Sequence, residues 1–264
     1  MKKDIKGVIF QFAGYLYIIF FTLICLLPFL MVVSGSFTDE KYIRQEGFKL
    51  IPGKFSLQAY ITIFMMPQRI LDAYAVSVAL TVIGAVVGLF LISMTAYVLV
   101  RKDFKYRNHF SFFYYFTMLF NGGLVPFYIL IVRYFHLKNS FWALLLPGLM
   151  NAWYIILMKN FMKSIPDSII ESGKLDGADD FTLYIKFVIP LSIPGLATVC
   201  LFLALSYWNN WSWAMLFIEE QKLVPLQYLM YKTVQSVEAL RTINQRSSAS
   251  VTFDVPAESV KMAT

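Results

Sequence analysis

Five long stretches of this 264-residue chain contain no Asp, Glu, Lys or Arg. They run roughly from Gly7 to Thr38, Ala73 to Val100, His109 to Val132, Asn139 to Met158 and Phe187 to Ile218. About 20 apolar residues at a helical rise of 1.5 Å cross the roughly 30 Å hydrocarbon layer of a bilayer, so each stretch is long enough to span one. A water-soluble fold would need five central helices, apolar on every side, in a chain too short to surround them with amphipathic ones. The pattern therefore predicts an all-α integral membrane protein with five transmembrane helices at about 10–34, 73–100, 110–132, 139–160 and 191–218, in one membrane domain covering 1–264. An outer loop of about 35 residues is expected after the first span, and a second outer segment after the fifth. No repeat or low-complexity tract interrupts this plan.

Composition agrees: 58% of residues are hydrophobic and the mean hydropathy is +0.62, both above the range of ordinary soluble domains. Charge then orients the chain. The first stretch is too long for a cleaved signal and follows Lys2, Lys3 and Lys6, which predicts a retained span with the N-terminus in the cytoplasm. Alternation from there makes the segment of Arg101, Lys102, Lys105 and Arg107 cytoplasmic, as well as the segment from Lys159 to Lys186. The short outer turn between spans three and four carries only Arg133 and Lys138, in keeping with the positive-inside rule. The net charge of +7 is scattered over loops on both faces with no continuous stripe, which favours topology and anionic lipid over nucleic acid. Cys25 and Cys200 fall inside spans without metal-ligand spacing and are expected as buried thiols, neither a disulfide nor a metal site.

One cytoplasmic segment carries dense punctuation. From Ser164 to Pro190 the sequence predicts two short helices and a turn: Ser164 as cap of the first, Pro166 early in its first turn, Asp176 as cap of the second with Asp179 and Asp180 at its positive end, and Gly177 at the bend. Phe181, Tyr184, Ile185 and Val188 recur at helical spacing before Pro190 and Pro194 interrupt the run. By pattern alone, an amphipathic hairpin resting on the headgroups accounts for this segment equally well.

The same residues resemble the signature loop of the permease subunits of ATP-driven (ABC-type) importers, Glu-Ala-Ala followed by Asp-Gly-Ala and later by Leu-Pro. Glu171 stands at the Glu position, Asp176, Gly177 and Ala178 match Asp-Gly-Ala, and Pro190 lies at the proline offset. Ser172 and Gly173 replace the two alanines and Ile189 replaces the leucine; Gly173 is expected to weaken the first helix by about 0.5 to 1 kcal/mol relative to alanine. Leu191-Ser192-Ile193-Pro194 is similar to a run in maltose-type permeases. Asn121-Gly-Gly-Leu-Val-Pro126, Trp142-Ala-Leu-Leu-Leu-Pro147 and Pro225-Leu-Gln-Tyr-Leu229 resemble the branch associated with complex oligosaccharides and uronates.

The resemblance implies a bacterial cell-membrane, multi-pass permease subunit forming half of a carbohydrate path with a second permease subunit. Two separate ATPase subunits and an extracytoplasmic solute-binding protein would be its partners, and no cofactor would be needed. The 164–190 loop would couple to the ATPase through Glu171, Ser172, Gly173, Asp176, Gly177, Ala178 and Pro190. It also implies a sixth span, toward which Pro256 to Thr264 resembles the lead-in; a chain stopping at Thr264 would leave its C-terminus outside and either be impaired alone or be a truncated piece of a longer one.

No Gly-x-x-x-x-Gly-Lys-Ser/Thr loop is present to cradle a nucleotide, so the chain is not expected to be an enzyme. An ion-coupled secondary transporter is the rival, and a permease for a non-sugar solute another; the first is disfavoured because ionisable groups are almost absent from the spans, with His109 and His136 at their edges. A membrane scaffold or sensor without transport is disfavoured by the loop. In Tyr207-Trp-Asn-Asn-Trp-Ser-Trp213 the uncharged amides of Asn209 and Asn210 beside Trp208 suit a sugar, with its hydroxyls and apolar faces. Trp211 and Trp213 fit an interfacial aromatic belt equally well. Asn121 and Asn151 are further candidates for the path.

Overall fold

The computed structural model describes residues 5–65 and 67–246. The lysines at 2 and 3 and the segment 256–264, with its resemblance to the start of a sixth span, lie outside them. All regular structure among the described residues is helical, apart from one isolated antiparallel bridge between Thr38 and Phe55. In chain order the α-helices are α1 (Ile5–Ser36), α2 (Glu40–Glu46), α3 (Gln58–Phe64), α4 (Pro67–Val100), α5 (Arg107–Leu119), α6 (Leu124–Ile129), α7 (Phe141–Leu145), α8 (Ala152–Met162), α9 (Asp167–Leu175), α10 (Asp180–Leu183), α11 (Ile189–Leu191), α12 (Ile193–Trp208), α13 (Ser212–Phe217) and α14 (Leu226–Arg246). Single π turns follow α6 (Leu130–Tyr134) and α10 (Tyr184–Val188).

Among the described residues two helices, over Phe10–Ser36 and Pro67–Val100, are long and apolar enough to cross a membrane alone. Three further pairs qualify only when joined across a bend: Arg107–Leu119 with Leu124–Tyr134 (111°), Phe141–Gly148 with Ala152–Met162 (42°), and Asp180–Leu191 with Ile193–Trp208 (84°). The later apolar blocks are therefore broken helices. Local chemistry explains the breaks. Asn121-Gly-Gly123 turns through a positive φ of 87° at Gly123, Pro147 sits in a 3₁₀ turn after α7, and Pro190 and Pro194 each remove an amide donor around Ser192.

The chain divides into two compact units, residues 1–68 with 232–264, and residues 69–231. In the first unit α1 is apolar all round, and the membrane-length window within it buries none of its residues. Beyond it the expected outer loop is folded rather than loose. Ser34 Oγ donates to the Lys49 carbonyl (2.7 Å), Ser36 and Tyr60 share a hydrogen bond (2.9 Å), and Phe37 stacks on Phe55 and Tyr60.

The second unit holds the main core: Leu80, Ile92 and Ala96 of α4, Leu144 and Leu145 of α7, Ile155, Met158 and Met162 of α8, and Val199, Leu203 and Tyr207 of α12. Tyr207 fills the space above Gly84 and Gly148 and donates its hydroxyl to the Leu145 carbonyl (2.8 Å). Small residues facing a large one give the close packing on which helix association in lipid depends. The cysteines depart from expectation in part: both are free thiols, but Cys25 lies on an exposed face and Cys200 is half-buried.

Candidate functional site

The segment 164–190 does form a helical hairpin, with different caps from those expected. α9 starts at Asp167 behind Pro166, whose fixed φ of −60° prepares the first turn; Ser164 instead donates its hydroxyl back to the Phe161 carbonyl (2.7 Å). At the other end Asp176 closes α9 and does not open the next helix. The Gly177 amide bonds the Lys174 carbonyl and the Ala178 amide bonds the Gly173 carbonyl, both at 3.0 Å, with Gly177 at φ +81°. This is a Schellman cap, which satisfies carbonyls left free at a helix end and needs a left-handed residue at the position Gly177 holds. A Cβ on Gly177 would meet nothing within 4 Å, so its outer side is open. The second limb begins after Asp179, and its Tyr184 and Val188 are buried while Phe181 and Ile185 are exposed. Pro190 lies beyond the π turn, in α11.

Gly173 has a use the sequence did not reveal. It is buried, and a Cβ there would stand 2.5 Å from the Leu183 Cδ2. The glycine that costs α9 propensity is thus what lets the two limbs close on each other.

Glu171 and Ser172 lie on the exposed side of α9, and Ala178 is half-buried. Glu171 has no hydrogen bond or ion pair among the described residues and is within electrostatic reach of Lys102. One residue escaped the sequence reading altogether. Leu175, the last of α9, is 89% exposed, a large apolar side chain at the tip of a polar hairpin.

The hairpin is held along its length by charges from the segment after α4. Arg101 is only 12% exposed and makes a two-pronged contact with Asp103 (3.1 and 2.7 Å) while also reaching Asp180 at 3.3 Å. Asp103 in turn receives Lys174 at 2.6 Å, and Lys102 pairs with Asp167. The first limb is therefore tied near both of its ends, to Lys102 and Asp103, and the second limb at its start, to Arg101. The Arg101 guanidinium also lies over the Tyr97 ring (5.6 Å), Tyr97 packs against Tyr184 (5.5 Å), and the Tyr184 hydroxyl and Ser93 share a buried hydrogen bond of 2.6 Å. The bonds from Arg101 first, and from Lys174 second, hold the Asp103 carboxyl well below the ordinary carboxylate range. A cavity of about 190 Å³ lies beneath α9, lined by Tyr97, Arg101, Asp103, Asp167, Glu171 and Lys174 among others.

The asparagines named for the path stand at helix ends. Asn151 caps α8 by accepting the Trp153 amide (2.9 Å), Asn121 accepts the Gly123 amide (2.8 Å), and Asn209 ends α12 while donating Nδ2 to the Leu205 carbonyl (3.0 Å). Asn210 and Trp208 are half-buried beside it. Asn121 and Asn151 each serve the bend of a span, and Asn209 the end of α12. No group of three or more His, Cys, Asp or Glu among the described residues could hold a metal ion.

A profile of the binding-protein-dependent transport system inner membrane component family matches residues 88–239, more than half of the chain and the whole hairpin. The chain belongs to this family. It is a permease subunit of a transport system that works with a binding protein. Among its relatives, the polygalacturonan/rhamnogalacturonan transport system permease protein YtcP of Bacillus subtilis (strain 168) is 42% identical over 229 residues, covering 87% of this chain and 79% of that one. Protein LplC of the same organism is 35% identical over 230 residues, 87% of this chain and 77% of that one. Among solved structures, a chain from the crystal structure of a bacterial ABC transporter that imports the acidic polysaccharide alginate superposes with a TM-score of 0.82 at 31% identity, covering 98% of this permease and 90% of that chain. Membership in the family replaces the ion-coupled alternative.

Proposed function

We propose that this permease forms half of the path of an ATP-driven importer for oligosaccharides containing uronic acids, and that its 164–190 hairpin docks onto a separate ATPase subunit. The observation that carries the docking role is the tip of the hairpin. Leu175 is exposed beside Gly177, whose left-handed backbone leaves open space for a close partner, and Glu171 stands unpaired one turn back. A hairpin resting only on headgroups would have no need of limbs fixed by Arg101, Lys102 and Asp103. ATP hydrolysis then belongs to that partner, in two copies, and a second permease subunit completes the path. The hairpin face is cytoplasmic, which sets the N-terminus on the same side.

The cargo class is supported by the relatives: one is named for polygalacturonan and rhamnogalacturonan, and the alginate importer also handles an acidic polysaccharide. In this reading Asn121, Asn151, Asn209, Asn210 and Trp208 line the path where helices break or end, since irregular backbone at membrane depth is tolerated where it lines a cavity. Three of these asparagines spend one end of the amide on the backbone, and the other end remains for a sugar hydroxyl. The test is binding-protein-stimulated ATP hydrolysis by the complex in liposomes. Oligogalacturonate is expected to stimulate it, and neutral malto-oligosaccharide to leave it at the basal rate; stimulation by the neutral sugar alone would reject the uronate assignment.

A further inference from the structure

On one end of the molecule there are two groups of cations with opposite surroundings. Arg101, Lys102 and Lys174 each face a carboxylate of the chain itself. Arg107, Lys159 and Lys163 do not: none of them has a carboxylate partner among the described residues. Lys159 Nζ donates to the Ser111 Oγ at 2.8 Å, and the charges that act on it are Lys163 and Arg107, both repulsive. Arg107 is repulsive toward Lys102 as well.

These residues lie in a seam. On α5, Arg107, Ser111 and Tyr114 are the less exposed positions, spaced four and three apart, which places them on one helical face. Ser111 bonds Lys159 of α8, and Lys163 closes α8 one turn later. Flanking positions of α5 are apolar and open: Phe110, Phe112, Phe113 and Phe116. Arg107 and Lys159 are half-buried and Lys163 is exposed; half-buried like charges without a counter-ion are costly, and an anion in the seam would offset that cost.

We propose that Arg107, Ser111, Lys159 and Lys163 bind the phosphate of an anionic phospholipid at the membrane edge between α5 and α8. Three features favour a lipid over other anions. The cations stand near the ends of helices that belong to candidate spans, and lysine stems can carry their charge out to the headgroups. The exposed phenylalanines of α5 give acyl chains an apolar surface directly alongside. The nearby carboxylates Asp103, Asp167 and Asp180 are already engaged by Arg101, Lys102 and Lys174, so the chain does not supply the counter-ion itself. Each cation near an anionic headgroup is worth enough that its removal weakens binding about fivefold.

The test is native mass spectrometry of the purified full chain equilibrated with mixed phosphatidylglycerol and phosphatidylcholine. Lys159→Gln and Arg107→Gln are expected to lower retained phosphatidylglycerol about fivefold each, with phosphatidylcholine unchanged as the measure of intact folding, while Lys159→Arg and the control Lys222→Gln retain it. Inorganic phosphate is expected neither to displace the lipid nor to raise the melting temperature. Equal retention by wild type and the Lys159→Gln/Arg107→Gln double variant would overturn the proposal and assign the counter-charge to another protein. Thermal protection by inorganic phosphate equal to that by phosphatidylglycerol would overturn the lipid in favour of a soluble anion.

Discussion

The hairpin at 164–190 and the three broken spans are both interruptions of apolar helix, but they are built in different ways. The hairpin is tied from outside itself: its limbs close over Gly173, and Arg101, Lys102 and Asp103 hold them from 65 and more positions away in sequence. The breaks at Asn121 and Asn151, and the end of α12 at Asn209, are tied from within, each by one amide group on a neighbouring backbone atom. A element held at several points moves as a unit, whereas a locally capped break can bend without disturbing the rest. That contrast suits a docking element joined to path-lining helices that rearrange.

The largest expected effect is at the hairpin tip. Leu175→Asp is expected to lower association with the cognate ATPase at least tenfold while the melting temperature of the permease stays unchanged, since burying a charge at an interface without a partner is far costlier than exposing it here. Copurification beside a thermal melt checks both. Next is the tie at the start of the second limb. Arg101→Gln removes charge-assisted bonds of a guanidinium that is 12% exposed, and is expected to cost about 2 kcal/mol locally; hydrogen exchange at α9 amides should rise while amides of α4 near Ile92 keep their protection. If both rise together, the hairpin has no separate anchorage and the contrast fails.

The breaks should respond more weakly and locally. Asn151→Ala removes the α8 cap and is expected to cost about 1 kcal/mol, read as a lower melting temperature. A rise in the transport KM at unchanged expression would add the path role to the capping one. Smallest of all is pH. Because Asp103 is depressed, its stabilising contribution is fully present above the ordinary aspartate pKa of about 4 and is lost only as pH falls through the lower folded value. The raised Lys102 works the other way: its contribution holds below the ordinary lysine value and is lost as pH rises through the higher folded one. Proteolytic resistance of the hairpin is therefore expected to be flat between about pH 5 and 9, and a fall in that window would point to a different titrating group.

Apolar runs and the Asp-Gly-Ala signature made helical spans, the hairpin and the family legible in the sequence, because burial in lipid and a helix stop both leave local marks. The Schellman cap was also within reach, since a glycine just after a last turn containing Lys174 is its usual sign. What stayed hidden was non-local. Nothing periodic connects Asp103 with Lys174 or Lys102 with Asp167, and hydropathy averages over a bend, so the 111° break looks like a continuous span. Gly173 shows the same limit: propensity alone makes it a weakness, and only Leu183 explains it.

The docking role stands or falls on what touches the hairpin tip. A photoreactive phenylalanine analogue placed at Leu175, with the same analogue at Phe110 as a membrane-side control, can be irradiated in cells that contain the whole transporter. Docking predicts a crosslink to the ATPase subunit from position 175, abolished by Gly177→Asp, and none from position 110; crosslinks from position 175 to lipid alone would return the hairpin to the membrane surface.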